Sequence, residues 1–115
     1  MTDATTDFFE QLAQRPHEPL LAKARATIRF DIVDGKRKRQ WLVSMDRGDV
    51  TVSRGNAGAD STVRVDQELF DRLVSGRANA MAALLRGAIA VRGELEPLML
   101  FQRLLPGPSQ AKAAP

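Results

Sequence analysis

Along this chain the spacing of apolar residues passes from helical to strand-like and back again. Near the start, Asp7-Phe8-Phe9-Glu10 places a capping aspartate before an apolar pair, and Glu10 stands three positions on to complete a capping box. The spacing predicts a helix that begins at Asp7 and buries Phe8, Phe9 and Leu12, with Met1–Thr6 as a frayed lead. Pro16 and Pro19 end it, and Arg15–Pro19 reads as a linker. From Ala26 the period becomes two: Ala26, Ile28, Phe30 and Ile32 alternate with Thr27, Arg29 and Asp31. Asp34-Gly35 signals a turn, and Trp41, Val43 and Met45 form the buried face of a second strand. Asp46-Arg47-Gly48-Asp49 turns again before Val50 and Val52, and Arg54–Gly58 is a loop leading to Val63 and Val65. These four segments read as an antiparallel meander with one wetted face.

The helical period returns after Asp66, a good N-cap, with Leu69, Phe70, Leu73 and Val74 on one face and Gly76 as the stop. A short second helix carries Met81, Leu84 and Leu85 before Gly87. Ala88-Ile89-Ala90-Val91 is a brief strand with no polar face, so the expected place for it is away from an exposed edge. The last predicted helix, Leu95–Leu105, tolerates Pro97 in its first turn and ends at Pro106-Gly107-Pro108. Seven of its eleven residues are large and apolar. At ~100° per residue, Leu98, Phe101 and Leu105 share a side while Leu100 and Leu104 point away from it. A helix apolar most of the way round needs cover on a second side, either from a bound apolar ligand or from another subunit. Together the segments predict one α+β domain over residues 7–106, a sheet with helices gathered on one face, flanked by flexible tails at 1–6 and 107–115.

Composition narrows the chemistry. With 115 residues the chain holds a single core, and with no cysteine it has no disulfide, thiolate metal site or cysteine nucleophile. No basic-plus-apolar signal segment opens it, and Leu95–Leu105 is too short to span a bilayer, so a soluble cytoplasmic protein is expected. The net charge is a modest +3, with a basic run at Lys36-Arg37-Lys38-Arg39. That run suits a solvated hairpin tip, a lipid headgroup or brief contact with an anionic membrane surface. No aromatic residues are interleaved with it to stack bases, which argues against nucleic acid.

Catalytic signatures are missing. His17, the one histidine, lies in the proline-bounded linker, and Glu18 beside it leaves any metal short of the three or four ligands it needs. The five serines lie near no base, and no nucleophile elbow, P-loop or dinucleotide fingerprint is spelled out. Gly55-Asn56-Ala57-Gly58 spells a Gly-x-x-Gly loop but sits between strands, where a nucleic-acid clamp requires helices. The acidic pairs Asp31/Asp34, Asp46/Asp49 and Glu94/Glu96 read as solvated turn chemistry. No catalysis, cofactor or metal is expected. What remains is apolar surface in the final forty residues, with Met81 and Met99 as adaptable lining.

The order of these features resembles the sterol carrier protein 2 (SCP2-like) domain. The resemblance rests on the hairpin from Asp34-Gly35 to Trp41-Leu42-Val43 and on the turn and strand Asp46–Val52. Asp60–Asp66 leading into Leu69, Leu73 and Gly76 adds to it, and above all Gly87-Ala88-Ile89-Ala90-Val91-Arg92-Gly93-Glu94 before an apolar helix. It spans Phe8 to Leu105. The resemblance implies a five-stranded, mainly antiparallel sheet covered on one face by helices, with a hydrophobic tunnel between the layers. It implies a carrier for fatty acids, acyl-CoA or other apolar lipids. Ala113-Ala114-Pro115 lacks a Ser-Lys-Leu type peroxisomal signal, and the Ala- and Arg-rich composition looks bacterial, which disfavours a sterol as ligand.

The expected function is therefore non-enzymatic binding of a fatty acid, acyl-CoA or isoprenoid. The expected lining is Trp41, Val43, Phe70, Leu73, Met81, Leu84, Leu85, Ile89, Leu98, Met99, Phe101 and Leu104. Lys36, Arg37, Lys38 and Arg39 would hold a headgroup or touch a membrane, and the protein would be a monomer or weak homodimer. The alternative is an interaction or accessory module for a lipid or quinone biosynthetic enzyme, with the last helix as its interface.

Overall fold

The computed structural model describes residues 4–14, 25–55 and 57–105. Helix α1 (Ala4–Ala13) is followed by strands β1 (Arg25–Asp34), β2 (Arg37–Asp46), β3 (Asp49–Arg54) and β4 (Ser61–Asp66). Helices α2 (Gln67–Val74) and α3 (Ala80–Leu85), strand β5 (Ile89–Gly93) and helix α4 (Glu96–Phe101) come next, and a 3-10 turn at Gln102–Leu104 extends α4. The linker with Pro16, His17 and Pro19, the segment Met1–Asp3 and the tail from Pro106 lie outside the described residues.

The five strands form one sheet in the order β3-β2-β1-β4-β5. Hairpins join β1 to β2 and β2 to β3, and the second turns on Arg47 and Gly48, both at positive φ (54° and 94°). A right-twisted two-residue hairpin demands that geometry, which is why a glycine stands there. The expected four-strand meander is corrected at β4, which lies parallel to β1 on the side away from β2, Phe30 beside Val63. Alternation tells which face a strand buries; it carries no information about its neighbour. β5 pairs antiparallel with β4 and with no other strand, so it is an edge strand and the expectation for it is also overturned. Only Ile89 is buried there and Ala90 is exposed; an alanine reads as apolar in sequence but needs little cover.

The helices lie over the sheet face that carries Ala26, Ile28, Phe30, Ile32, Trp41, Val43, Met45, Val63 and Val65. α1 starts three residues before the expected cap, and Thr5 is wholly buried. Its N–H and hydroxyl both donate to Asp71 Oδ1 of α2 (3.0 and 2.6 Å), so a carboxylate from a distant helix satisfies the first turn. α2 buries Leu69, Phe70 and Leu73, and Asp66 precedes it in extended geometry without a side-chain cap bond. α3 departs from its expected face: it buries Ala80 and Ala83, and Asn79 accepts from the Ala82 N–H (3.0 Å) as its cap. Small residues bring α3 close to the sheet, which leaves Met81 and Leu84 half-buried and Leu85 outside, 83% exposed. In α4 the tightening to a 3-10 turn aligns residues three apart, so Leu98, Phe101 and Leu104 are buried together and Leu105 only partly. A regular helix would have chosen Leu105 over Leu104.

All six aromatic residues of the chain, five Phe and one Trp, meet in the core. Phe9 stacks on Trp41 (4.6 Å between centroids) and on Phe70 (5.5 Å), Phe30 packs against Phe101 (4.5 Å), and Phe8 meets Phe9, Phe70 and Phe101 edge-on. Offset and edge-to-face pairs of this kind contribute roughly 0.5–1.5 kcal/mol each beyond area burial.

Candidate functional site

Between sheet and helices the packing leaves a wholly apolar gap. Phe30 of β1, Val63 and Val65 of β4 and Ile89 of β5 form its floor. Phe70 and Leu73 of α2, Ala80 of α3, and Leu98, Phe101 and Leu105 from α4 and the residues after it close it above. The floor follows from strand alternation and register, which bring Phe30 beside Val63 and Val65 beside Ile89. The free volume is about 10 Å³, the space of roughly one water molecule.

Of the residues expected to line a lipid site, Phe70, Leu73, Ile89, Leu98 and Phe101 border this gap. Trp41, Val43 and Leu104 are buried in the same core but do not touch it. Met81 and Leu84 stand half-buried beside it, while Leu85 and Met99 (44% exposed) face outward with Leu95 (41%). The sequence reading missed Phe30, Val63, Val65, Ala80 and Leu105 as lining. Alternation already gave the first three a common face, but the parallel pairing that sets Phe30 beside Val63 had no local signal.

A polar network fixes one margin of the helical layer. Asp71 Oδ1 accepts from Thr5 and from Gln67 Nε2 (3.3 Å). Arg39 donates to Thr6 Oγ1 (2.9 Å) and to Gln67 Oε1, tying β2 to α1 and α2. Strand alternation thus divides the basic run. Arg39 faces the helices and is engaged, whereas Lys38 lies on the opposite face and Lys36 and Arg37 sit at the exposed hairpin tip. Trp41 lies under the Arg54 guanidinium, 4.4 Å from the ring centroid. Its Nε1 and the Ser61 hydroxyl are buried side-chain atoms without a protein partner among the described residues. Asp31 corrects the reading of acidic pairs as turn chemistry. It lies mid-strand on the bare sheet face, 8% exposed, and accepts from Arg29 Nε (3.1 Å) and Gln40 Nε2 (3.2 Å). Among the described residues no cluster of three or more His, Cys, Asp or Glu side chains gathers to hold a metal, and no helix is long and apolar enough to cross a membrane.

A family model described as the SCP-2 sterol transfer family matches residues 9–106. The chain belongs to the SCP-2 sterol transfer family. The fold agrees with that of SCP-2 structures. The sterol carrier protein domain 2 of Helicoverpa armigera superposes with a TM-score of 0.70 at 23% identity, covering 97% of this chain and 89% of that one. Sterol carrier protein 2 of Aedes aegypti, solved in complex with palmitate, gives 0.70 at 21% identity, covering 91% and 99%. The same fold also occurs inside a larger protein. The stereoselective inverting sec-alkylsulfatase Pisa1 from Pseudomonas sp. matches at 24% identity and a TM-score of 0.69, over 85% of this chain but 16% of the sulfatase. This SCP-2 chain therefore spans about a sixth of that enzyme's length.

Proposed function

We propose that this protein binds the hydrocarbon tail of a fatty acid, acyl-CoA or isoprenoid between its sheet and its helices, without chemical conversion. The observation that carries the reading is the gap bordered by Phe30, Val63, Phe70, Leu73, Ile89, Leu98 and Phe101, which is lined by apolar atoms alone. The palmitate complex of the Aedes aegypti protein, which shares this fold, supports it.

At about 10 Å³ the gap is far below the ~300–1,000 Å³ of ligand pockets, so binding requires the helical layer to move outward. α3 and α4 are suited to that movement. Each is six residues long, too short to be stable apart from what it packs on. Each buried methylene contributes about 0.8 kcal/mol, so a long tail repays displaced helix–sheet contacts without any polar contact. Trp41 Nε1 and Ser61 Oγ supply positions where a polar head would find a hydrogen bond inside the layer.

The test is displacement of a fluorescent fatty acid from delipidated protein, with native mass spectrometry of the protein as purified. Saturable one-to-one binding, weakened by Leu73→Asp but not by Leu85→Asp, is expected. Failure of the folded protein to bind at micromolar ligand refutes the reading. A second reading, the last helix as an interface, is favoured by Leu95 and Met99, exposed four residues apart near and on α4. A dimer in light scattering that Met99→Asp dissociates, with lipid binding unchanged, would favour it.

A further inference from the structure

The sheet face away from the helices carries a cleft of opposite chemistry. It measures about 330 Å³ and is lined by Arg29 and Asp31 of β1, Lys38 of β2, Thr62 and Arg64 of β4 and Arg92 of β5. Register sets Arg29 beside Thr62 and Thr62 beside Arg92, with Asp31 beside Arg64 in the next row. The two flanking arginines are thus two strands apart, about 10 Å at the backbone, with a hydroxyl between them. Asp31 is the one acid in the lining, and it is committed: Arg29 holds it through Nε (3.1 Å) and a terminal nitrogen (3.3 Å). Among the described residues no carboxylate pairs with Lys38, Arg64 or Arg92, so three positive charges share the cleft uncompensated. Asp66 stands one pleat beyond Arg64 on this face, outside the lining.

Like charges gathered on one sheet face repel one another, and a bound anion removes that repulsion. Arginine forks match phosphate oxygens two bonds at a time, and a threonine hydroxyl adds a third donor. We propose that this cleft binds a small phosphate-bearing anion, with Arg64, Arg92 and Lys38 supplying charge and Thr62 a hydrogen bond. Two features favour a discrete anion over a membrane surface. The site is concave, with a volume inside the range of small-ligand pockets. It also lies across the sheet from the apolar gap, so docking a bilayer here would turn that gap away from the lipid. Anion binding on this face does not depend on lipid binding on the other.

Calorimetric titration of the full chain with inorganic pyrophosphate at low salt tests it. Saturable one-to-one binding, tighter than about 1 mM, is expected, and it should weaken as salt screens the site. Arg64→Ala and Arg92→Ala should each weaken binding about tenfold or more, the loss of a charge-assisted bond. Arg37→Ala, at the exposed hairpin tip, should leave it unchanged, as should a lipid occupying the other face. Both arginines are exposed, so the variants keep the fold, and an unchanged melting curve checks this. Absence of binding at about 10 mM pyrophosphate overturns the proposal. So does binding that survives the double variant. Arg64- and Arg92-dependent sedimentation with phosphatidylglycerol vesicles, without pyrophosphate binding, would also overturn it and assign the face to a membrane.

Discussion

Replacing Gly93 with alanine should be costly for a single added methyl group. Gly93 ends β5 at φ +86°, a region that costs an L-residue about 1–2 kcal/mol. A Cβ there would stand 2.5 Å from the carbonyl oxygen of Asp60 and 3.4 Å from its carbon. The obstacle is backbone, and it cannot swing aside. Asp60 O accepts from the Glu94 N–H (3.1 Å), while the Asp60 N–H and carboxylate exchange bonds with Thr27 (2.9 Å each). Moving Asp60 far enough disturbs at least one of these bonds, each worth about 0.5–1.5 kcal/mol net. Against this, alanine reduces unfolded-chain entropy and returns about 0.4–1 kcal/mol. The net expectation is a loss of roughly 1–3 kcal/mol, a melting decrease on the order of 10 °C for a domain of this size. Gly58→Ala is the control. Gly58 has negative φ and no atom within 4 Å of the added carbon, so it should be neutral or stabilising by up to about 1 kcal/mol. Urea unfolding followed by far-ultraviolet circular dichroism measures both. If Gly93→Ala stays within about 0.5 kcal/mol of the parent, or Gly58→Ala loses as much, the close approach of β5 to Asp60 is wrong.

Three further outcomes follow from the packing. Asp71→Ala strands the buried N–H and hydroxyl of Thr5 and should cost about 2–3 kcal/mol in urea unfolding, with early hydrogen exchange confined to α1. Leu98→Ala should cost about 2–5 kcal/mol, whereas Leu85→Gln at an 83% exposed site should stay within about 0.5 kcal/mol, although the sequence gives both residues the same apolar look. Arg39→Ala should lower stability by about 1–2 kcal/mol and Lys36→Ala should not, separating two members of one basic run by thermal melting.

Face assignment was legible in the sequence; adjacency and depth were less so. Period-two alternation correctly gave Ile28, Phe30, Trp41, Val43, Val63 and Val65 to one side, and the helical period found Leu69, Phe70 and Leu73. The parallel seat of β4 was not legible, because a loop such as Arg54–Gly58 connects neighbours and non-neighbours alike. Alanine misled twice. It made β5 look fully apolar, and it hid the buried Ala80–Ala83 face of α3 behind the larger Met81, Leu84 and Leu85. The choice of Leu104 over Leu105 depends on a 3-10 turn that no residue pattern announces. At the candidate site, the helix residues Phe70, Leu73, Leu98 and Phe101 were found from sequence, whereas their floor needed the sheet order. The resemblance to SCP2-like domains, read from Gly87–Glu94 and the hairpins, matches the family that covers residues 9–106.

The gathering of every aromatic ring into one cluster also has an optical consequence. With no tyrosine and a single tryptophan, ultraviolet emission from this chain originates at one point, the indole of Trp41. That indole touches α1 through Phe9 and the β3 edge through Arg54. If the helical layer lifts from the sheet, Phe9 leaves the ring and the emission should shift. The unlabelled protein therefore carries its own gauge of whether the two layers are together or apart.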